Sequence, residues 1–140
     1  MIIDEAAKNC TITLPYPIST NRYWRTYRGR TVVSAEARAY KAIVCAVARS
    51  NGVGAPTIAP VALSLILCPV RPKDWHKRQI ADPNGLTVRC LDIDNAIKVV
   101  LDALQGVAYM DDNQVMDLHI RRGFPVDGGA LVIHWTEAFA

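Results

Sequence analysis

The pattern of apolar and polar residues along this chain predicts four β-strands. Residues 10–14 alternate and are rich in threonine and isoleucine. Residues 61–67 form a short apolar run between prolines, which favours a buried strand over a helix. Residues 115–124 and 130–136 predict two more strands. We expect the turn at residues 127–129, which contains two glycines, to join these last two strands as a hairpin.

Two further segments have the spacing of amphipathic helices. Behind Ser34, a suitable N-cap, apolar residues recur at intervals of three and four until Asn51 and Gly52 end the pattern. The second helix is predicted to begin near Asp94 and to stop at Gly106. Its predicted apolar face consists of Ile97, Val100, Leu101 and Leu104.

The order of these elements predicts an α+β fold, in which two principal helices pack on a mixed, mainly antiparallel sheet. Neither a repeat nor a linker interrupts the 140 residues. We therefore expect residues 1–140 to form a single domain. Residues 71–90 contain two prolines and a glycine and are predicted to be an irregular loop. An arginine-rich stretch with a turn at residues 28–30 is predicted to be a flexible arm or a hairpin.

Composition and local hydropathy exclude several classes of protein. Hydrophobic residues make up 51% of the chain and charged residues 21%, as in soluble globular proteins. The longest apolar stretch, residues 59–70, is well short of the roughly 20 residues that a membrane span needs. The N-terminus carries acids where a secretory signal carries positive charge. Since no CxxC pair or zinc-finger spacing occurs either, we expect a cytoplasmic protein without membrane contact or zinc.

Charge is strongly segregated along the chain, although the net charge is only +3. Residues 92–117 contain six aspartates and a single basic residue, Lys98. Two basic segments precede them, and these contain Arg22, Arg25, Arg28, Arg30, Arg38 and Lys41, and then Arg71, Lys73, Lys77, Arg78 and Arg89. Basic segments next to an acidic centre suit a protein that binds a polyanion and holds a cation against it.

The acidic segment contains a candidate metal site. Asp92 and Asp94 are two residues apart where an extended segment meets a helix, which places both carboxylates on the same side of the backbone. One or two carboxylates completed by water and substrate phosphate are typical of Mg²⁺ sites. Lys98 follows one helical turn later, where its ammonium group can neutralise charge on a phosphate. Asp111 and Asp112 follow the helix, and we expect only one of them to be a ligand.

Simpler interpretations of these acids remain open at this point. An EF-hand is excluded, because Ala96 and Ile97 occupy positions that need a ligand and a glycine. Asp94 is also a suitable N-cap, with Lys98 as an ordinary partner four residues later. The acidic run can also be a solvated face, although apolar residues of the predicted core interrupt it.

Aromatic residues interleave the first basic segment. Tyr23, Trp24 and Tyr27 lie among its arginines, and such planes suit stacking on nucleic-acid bases beside phosphate contacts. The alternative is that these rings pack over the edge of the core. The spacing does not decide between the two. Trp135, in the last strand, is predicted to be a core residue.

The chain resembles the RusA family of Holliday-junction resolvases, small endonucleases of phage and prophage origin. The resemblance runs from about residue 11 to residue 137. It rests on the segments TITLPYPISTNRYWR, RGRTVVSAEARAYK, DIDNAIKVVLDAL and GVAYMDDNQV. The chain departs from the family pattern in two places that concern substrate binding. Cys90 and Leu91 lie between Arg89 and the first aspartate, and residues 71–90 form a longer loop than is usual.

The resemblance implies an intertwined homodimer that binds four-way branched DNA and nicks it in pairs with Mg²⁺ or Mn²⁺. It implies that Asp92, Asp94 and Asp112 are the metal ligands and that Lys98 is essential for catalysis. The expected products have 5′-phosphate and 3′-hydroxyl ends. The candidate DNA contacts are Arg22, Arg25, Arg28, Arg30, Lys77, Arg78 and Arg89. The alternatives are a junction-binding architectural protein that does not cleave, and a metal-dependent nuclease for flaps or other branched DNA.

Overall fold

This computed structural model describes residues 9–138 of the chain. Within them lie six strands and four α-helices. The strands are β1 Asn9–Leu14, β2 Trp24–Tyr27, β3 Arg30–Val33, β4 Val61–Cys68, β5 Val115–Arg122 and β6 Ala130–Glu137. The helices are α1 Thr20–Tyr23, α2 Ala35–Ser50, α3 Trp75–Ala81 and α4 Ile93–Leu104. A single 3-10 turn, Asp112–Gln114, precedes β5. No helix in the described range is long and apolar enough to cross a membrane.

Four of the strands form one mixed sheet in the order β1-β6-β4-β5. β6 is antiparallel to both β1 and β4, whereas β4 and β5 are parallel. The predicted α+β fold with a mixed, mainly antiparallel sheet is therefore confirmed. Its two principal helices are α2, with 16 residues, and α4, with 12.

The predicted hairpin between the last two strands is wrong. Gly128 and Gly129 do form a turn, with φ of 72° and 71°, but β5 and β6 are not neighbours, because β4 lies between them. β4 is an almost wholly apolar strand, and such a strand needs a partner along both of its edges. β5 provides one of these, with Leu118 opposite Leu63, and β6 the other.

The N-terminus of α2 confirms the prediction made for Ser34. The Ser34 hydroxyl accepts a hydrogen bond from the amide of Ala37 at 3.1 Å, and the helix ends before Asn51 as expected. Trp135, predicted to be in the core, is 3% exposed. The four cysteines are free thiols.

The buried face of α4 differs slightly from its prediction. Ala96, Val99, Val100, Ala103 and Leu104 are its buried residues, whereas Ile97 and Leu101 are only half-buried. The face of α4 that packs against the core is thus rotated toward the small side chains. Alanine at two of these positions permits close packing of the helix.

Two other segments refine the predictions. Residues 71–90 are not wholly irregular, because they contain the short helix α3. The arginine-rich stretch forms the β2–β3 hairpin, with Arg28 and Gly29 at its tip. Of the two alternatives given for that stretch, a flexible arm or a hairpin, the structure has the hairpin.

Candidate active site

Asp92 and Asp94 lie at the N-terminal end of α4, and both are exposed. Asp92 occupies the N-cap position, but its side chain does not accept the usual hydrogen bond from the first turn. Within the described residues, neither carboxylate makes a hydrogen bond or an ion pair. Both groups therefore keep their oxygens available for a cation or for water.

A cleft of about 690 Å³ opens beside Asp92, and we call it the Asp92 cleft. Its lining includes Arg22, Arg78 and Arg89, which are three of the predicted DNA contacts. These arginines are far apart in the sequence, so the fold brings them to the same wall as a predicted metal ligand. A phosphate that enters this cleft meets guanidinium groups on its way to the carboxylate.

Hydrogen bonds fix the backbone around the cleft. The side-chain oxygen of Asn95 accepts from the amide of Thr20 at 2.7 Å, and the Tyr16 hydroxyl accepts from the amide of Leu91 at 2.7 Å. These contacts tie the start of α1 and the segment before it to the residues around the start of α4. The sequence did not predict the Asn95 contact, because its two partners lie 75 residues apart in the chain. Burial raises the pKa of Tyr16 and keeps its hydroxyl neutral.

The three arginines of the cleft differ in whether they have an ion-pair partner. Arg22 forms an ion pair with Glu36, and Arg78 lies 3.4 Å from Asp74. Arg89 is exposed and makes no ion pair with another described residue. Exposed ion pairs are worth little, so a DNA phosphate can replace either carboxylate at small cost.

Lys98 and Asp102, four residues apart on α4, have separate surroundings. Lys98 is exposed and has no ion-pair partner among the described residues. Asp102 accepts a hydrogen bond from the Tyr23 hydroxyl and lies 3.3 Å from the Lys41 ammonium group. It thereby joins α1, α2 and α4. Burial, followed by the hydrogen bond to Asp102, raises the pKa of Tyr23, so the phenol remains a donor.

The turn that carries Asp111 and Asp112 is held by Gln114. The Gln114 amide oxygen accepts from the amides of Met110 and Asp111, both at 2.9 Å. Its amide nitrogen donates to the carbonyls of Thr57 at 2.8 Å and Ala59 at 2.9 Å. The role of Gln114 was not predicted, although the glutamine stands in the DDNQV motif.

Asp111 and Asp112 are not equivalent. Asp111 caps the 3-10 turn by accepting from the amide of Asn113 at 2.9 Å. Asp112 is exposed, and its own amide donates to the Gln105 side chain at 3.1 Å. Desolvation, a hydrogen bond with Asp111 and the charges of Asp111 and Asp102 raise the pKa of Asp112. Asp111 thus accepts from a backbone amide of the turn, whereas, within the described residues, the Asp112 carboxyl group does not.

Asp112 lies at the opposite end of α4 from Asp92. Gln105, which it contacts, follows the last residue of that helix. With 12 residues, α4 is about 18 Å long. In residues 9–138 of a single chain, no three His, Cys, Asp or Glu side chains are grouped so that they could hold a metal. Asp92 and Asp94 offer the hard oxygens that Mg²⁺ prefers, but one chain does not bring Asp112 to them.

The remaining predicted DNA contacts lie outside the lining of the cleft. Arg25, Arg28 and Arg30 are exposed on the β2–β3 hairpin, and Lys77 is exposed on α3. The aromatic residues among these arginines divide into two groups. Tyr23 is fully buried, and Trp24 packs against it edge to face with ring centroids 4.4 Å apart, whereas Tyr27 is exposed.

Comparison with known proteins gives one consistent result. A family model described as endodeoxyribonuclease RusA matches residues 15–133. The crossover junction endodeoxyribonuclease RusA of Escherichia coli K12 is 34% identical over 128 residues, which cover 91% of this chain and 93% of that protein. The protein of the same name from Enterobacteria phage 82 is 34% identical over 127 residues, with coverages of 90% and 92%. The Shigella sonnei protein is 34% identical over 128 residues, with coverages of 91% and 93%.

Proposed function

The chain belongs to the RusA family of endodeoxyribonucleases, and from that premise we propose that it resolves four-way DNA junctions with a divalent metal. It makes paired, symmetric nicks and leaves 5′-phosphate and 3′-hydroxyl ends that a ligase can seal. The observation that carries this proposal is the Asp92 cleft, where an unpaired carboxylate shares a wall with three arginines. Such a site attracts both a polyanion and the cation that its cleavage needs.

Asp92 and Asp94 hold the metal, Mg²⁺ or Mn²⁺, at the start of α4. A bound divalent ion supplies Lewis-acid activation of water and neutralises charge on the leaving oxygen. The exposed ammonium group of Lys98 stabilises the negative charge that builds up on the phosphate. Arg89 has no competing ion pair in the described chain and orients the scissile phosphate in the cleft.

The nuclease acts as a homodimer. Two strands on opposite sides of a junction are cut symmetrically, and this requires two equivalent sites related by a two-fold axis. Ile93, Ile97 and Leu101 follow one another at intervals of four on α4, and all three are half-buried. We place this stripe in the dimer interface, against the same stripe of a second copy.

Antiparallel packing of the two copies of α4 also completes the ligand set. It brings the N-terminal end of one helix beside the C-terminal end of the other. Asp112 of the partner subunit then joins Asp92 and Asp94, and the two-fold axis creates a second, identical site. This arrangement accounts for the separation of these carboxylates within one chain.

Basic residues on three parts of the molecule bind the DNA arms. The cleft arginines contact phosphates next to the cut, whereas the hairpin and α3 contact phosphates farther along the arms. The proposed contacts are Arg22, Arg25, Arg28, Arg30, Lys77, Arg78 and Arg89.

Cleavage of a labelled immobile four-way junction, a flap and a linear duplex tests the proposed function. With Mg²⁺, we expect paired nicks in the junction and much slower cutting of the other two substrates. Fastest cutting of the flap would identify a flap nuclease instead. Tight junction binding with uncut strands would identify an architectural protein, and either result overturns the proposal.

A further inference from the structure

The β2–β3 hairpin has one face against the core and one face in solvent. Trp24 pairs with Val33, and both are half-buried and pack against the core. Because side chains alternate along a strand, the Arg25–Val32 and Tyr27–Arg30 pairs point the other way. We call that outer surface the Tyr27 face, and its residues are Arg25, Tyr27, Arg30 and Val32.

Contacts within the chain fix the geometry of the hairpin. Arg28 and Gly29 both have positive φ, 51° and 73°, as a two-residue type I′ turn requires. At the other end, the amide of Ser34 donates to the carbonyl of Tyr23 at 2.8 Å. The tip is thus held in place by strand pairing, by its turn and by the packing of Trp24.

Tyr27 is the exposed aromatic ring of this hairpin, and arginines surround it. Its exposed fraction is 53%, and the guanidinium carbons of Arg28 and Arg25 lie 5.3 and 5.9 Å from the ring centroid. Arg30 is its cross-strand partner. Residues 24–33 contain no acid. An exposed ring among positive charges has no role in the core that would explain it.

We propose that Tyr27 stacks on an unstacked DNA base at the branch point, while the arginines of the hairpin bind the phosphates beside that base. The inference rests on the proposed function, because branched DNA is the substrate that it assumes. An intact duplex hides the faces of its bases, whereas base pairs next to a strand exchange can open. The guanidinium groups lie near the outer limit of cation–π contact, so a base can displace one of them toward its own phosphate.

Binding in Mg²⁺-free buffer, where the DNA stays uncut, gives the first test. Tyr27→Leu should weaken junction binding about tenfold, because stacking on an aromatic ring is lost, and should change duplex binding less than about twofold. Tyr27→Phe should restore junction affinity, since the ring is kept. Thr31→Ala, on the opposite face of the same hairpin, is the matched control and should bind like the wild type.

Photo-cross-linking gives the second test. 5-Iododeoxyuridine at the strand exchange should cross-link to the peptide that contains Tyr27, and the same base placed within an arm should not. Wild-type junction affinity in Tyr27→Leu, equal losses on junction and duplex, or cross-linking confined to other peptides would each overturn the inference. Neither test needs cleavage. A wild-type protein that binds the junction without cutting it would therefore contradict the proposed function and leave this inference unaffected.

Discussion

Asp92 and Arg89 line the same cleft, three residues apart on the stretch of chain that leads directly into α4. Neither side chain has an ion-pair partner among the described residues. An acid and a base this close in sequence can form an ion pair with each other. Here each remains free, as a site that binds a metal ion and a phosphate separately requires.

Lys98→Ala should separate catalysis from binding. The ammonium group stabilises charge on the reacting phosphate, so the cutting rate of bound junction should fall about a hundredfold. Junction affinity should hardly change, because many other basic residues bind the arms. Single-turnover cutting and a separate binding assay in Ca²⁺ measure the two effects. Lys73→Ala is the control, since Lys73 is exposed and lies outside α4. A loss of affinity alone in Lys98→Ala would contradict its role.

Mixed dimers test whether the ligand set crosses between subunits. Asp92→Asn and Asp112→Asn homodimers should both be inactive. A mixed dimer of the two, purified with two different tags, keeps one site with all of its carboxylates if Asp112 comes from the partner subunit. It should therefore nick one strand. If the ligands come from a single chain, both sites of the mixed dimer are damaged and it stays as inactive as its parents.

Gln114→Ala should lower both stability and cutting. It removes four hydrogen bonds that hold the turn of Asp112 against the carbonyls of Thr57 and Ala59. The free energy of unfolding should fall by about 2 kcal/mol, as measured by urea denaturation. Gln79→Ala removes only a long contact on exposed α3 and serves as the control. A Gln114→Ala protein with unchanged stability would show that these contacts do not hold the turn.

The features that the sequence predicts correctly have local causes. Ser34 caps α2 by a contact three residues away. Asp92 and Asp94 are placed by the first turn of α4, to which they belong as N-cap and second residue. The position of β6 between β1 and β4 depends instead on which strands pair along the two edges of β4. Local alternation of apolar and polar residues does not encode that pairing. For the same reason, the spacing of Tyr23 and Tyr27 did not reveal that one is buried and the other exposed.

The candidate site shows the same division. The motif marked the acids, but sequence alone did not show that Asp102 binds the Tyr23 hydroxyl or that Gln114 holds the turn of Asp112. Both contacts join elements that are far apart in the chain. The predicted meeting of Asp112 with Asp92 and Asp94 remains a proposal that depends on a second copy.

Tyr23→Phe should destabilise the fold, because the buried phenol donates a hydrogen bond to the charged Asp102. We expect a loss of about 2 kcal/mol in the free energy of unfolding. Tyr40→Phe is the matched control, since the Tyr40 hydroxyl donates to the neutral carbonyl of Pro15 at 2.9 Å. Its loss should be about 1 kcal/mol. Equal losses in the two variants would mean that the charge of Asp102 adds nothing to this contact.

The central claim is that the carboxylate of Asp92 supports metal-dependent cutting of a four-way junction. Its most direct test is the cutting of a labelled immobile junction by the wild type and by Asp92→Asn, each with and without Mg²⁺. Asp127→Asn, an exposed acid in the turn before β6, is the control. We predict paired nicks by the wild type and by the control with Mg²⁺ only. Asp92→Asn should cut at least about a hundredfold more slowly while it binds the junction as well or better. Normal cutting by Asp92→Asn, or cutting by the wild type without a divalent metal, would contradict the claim.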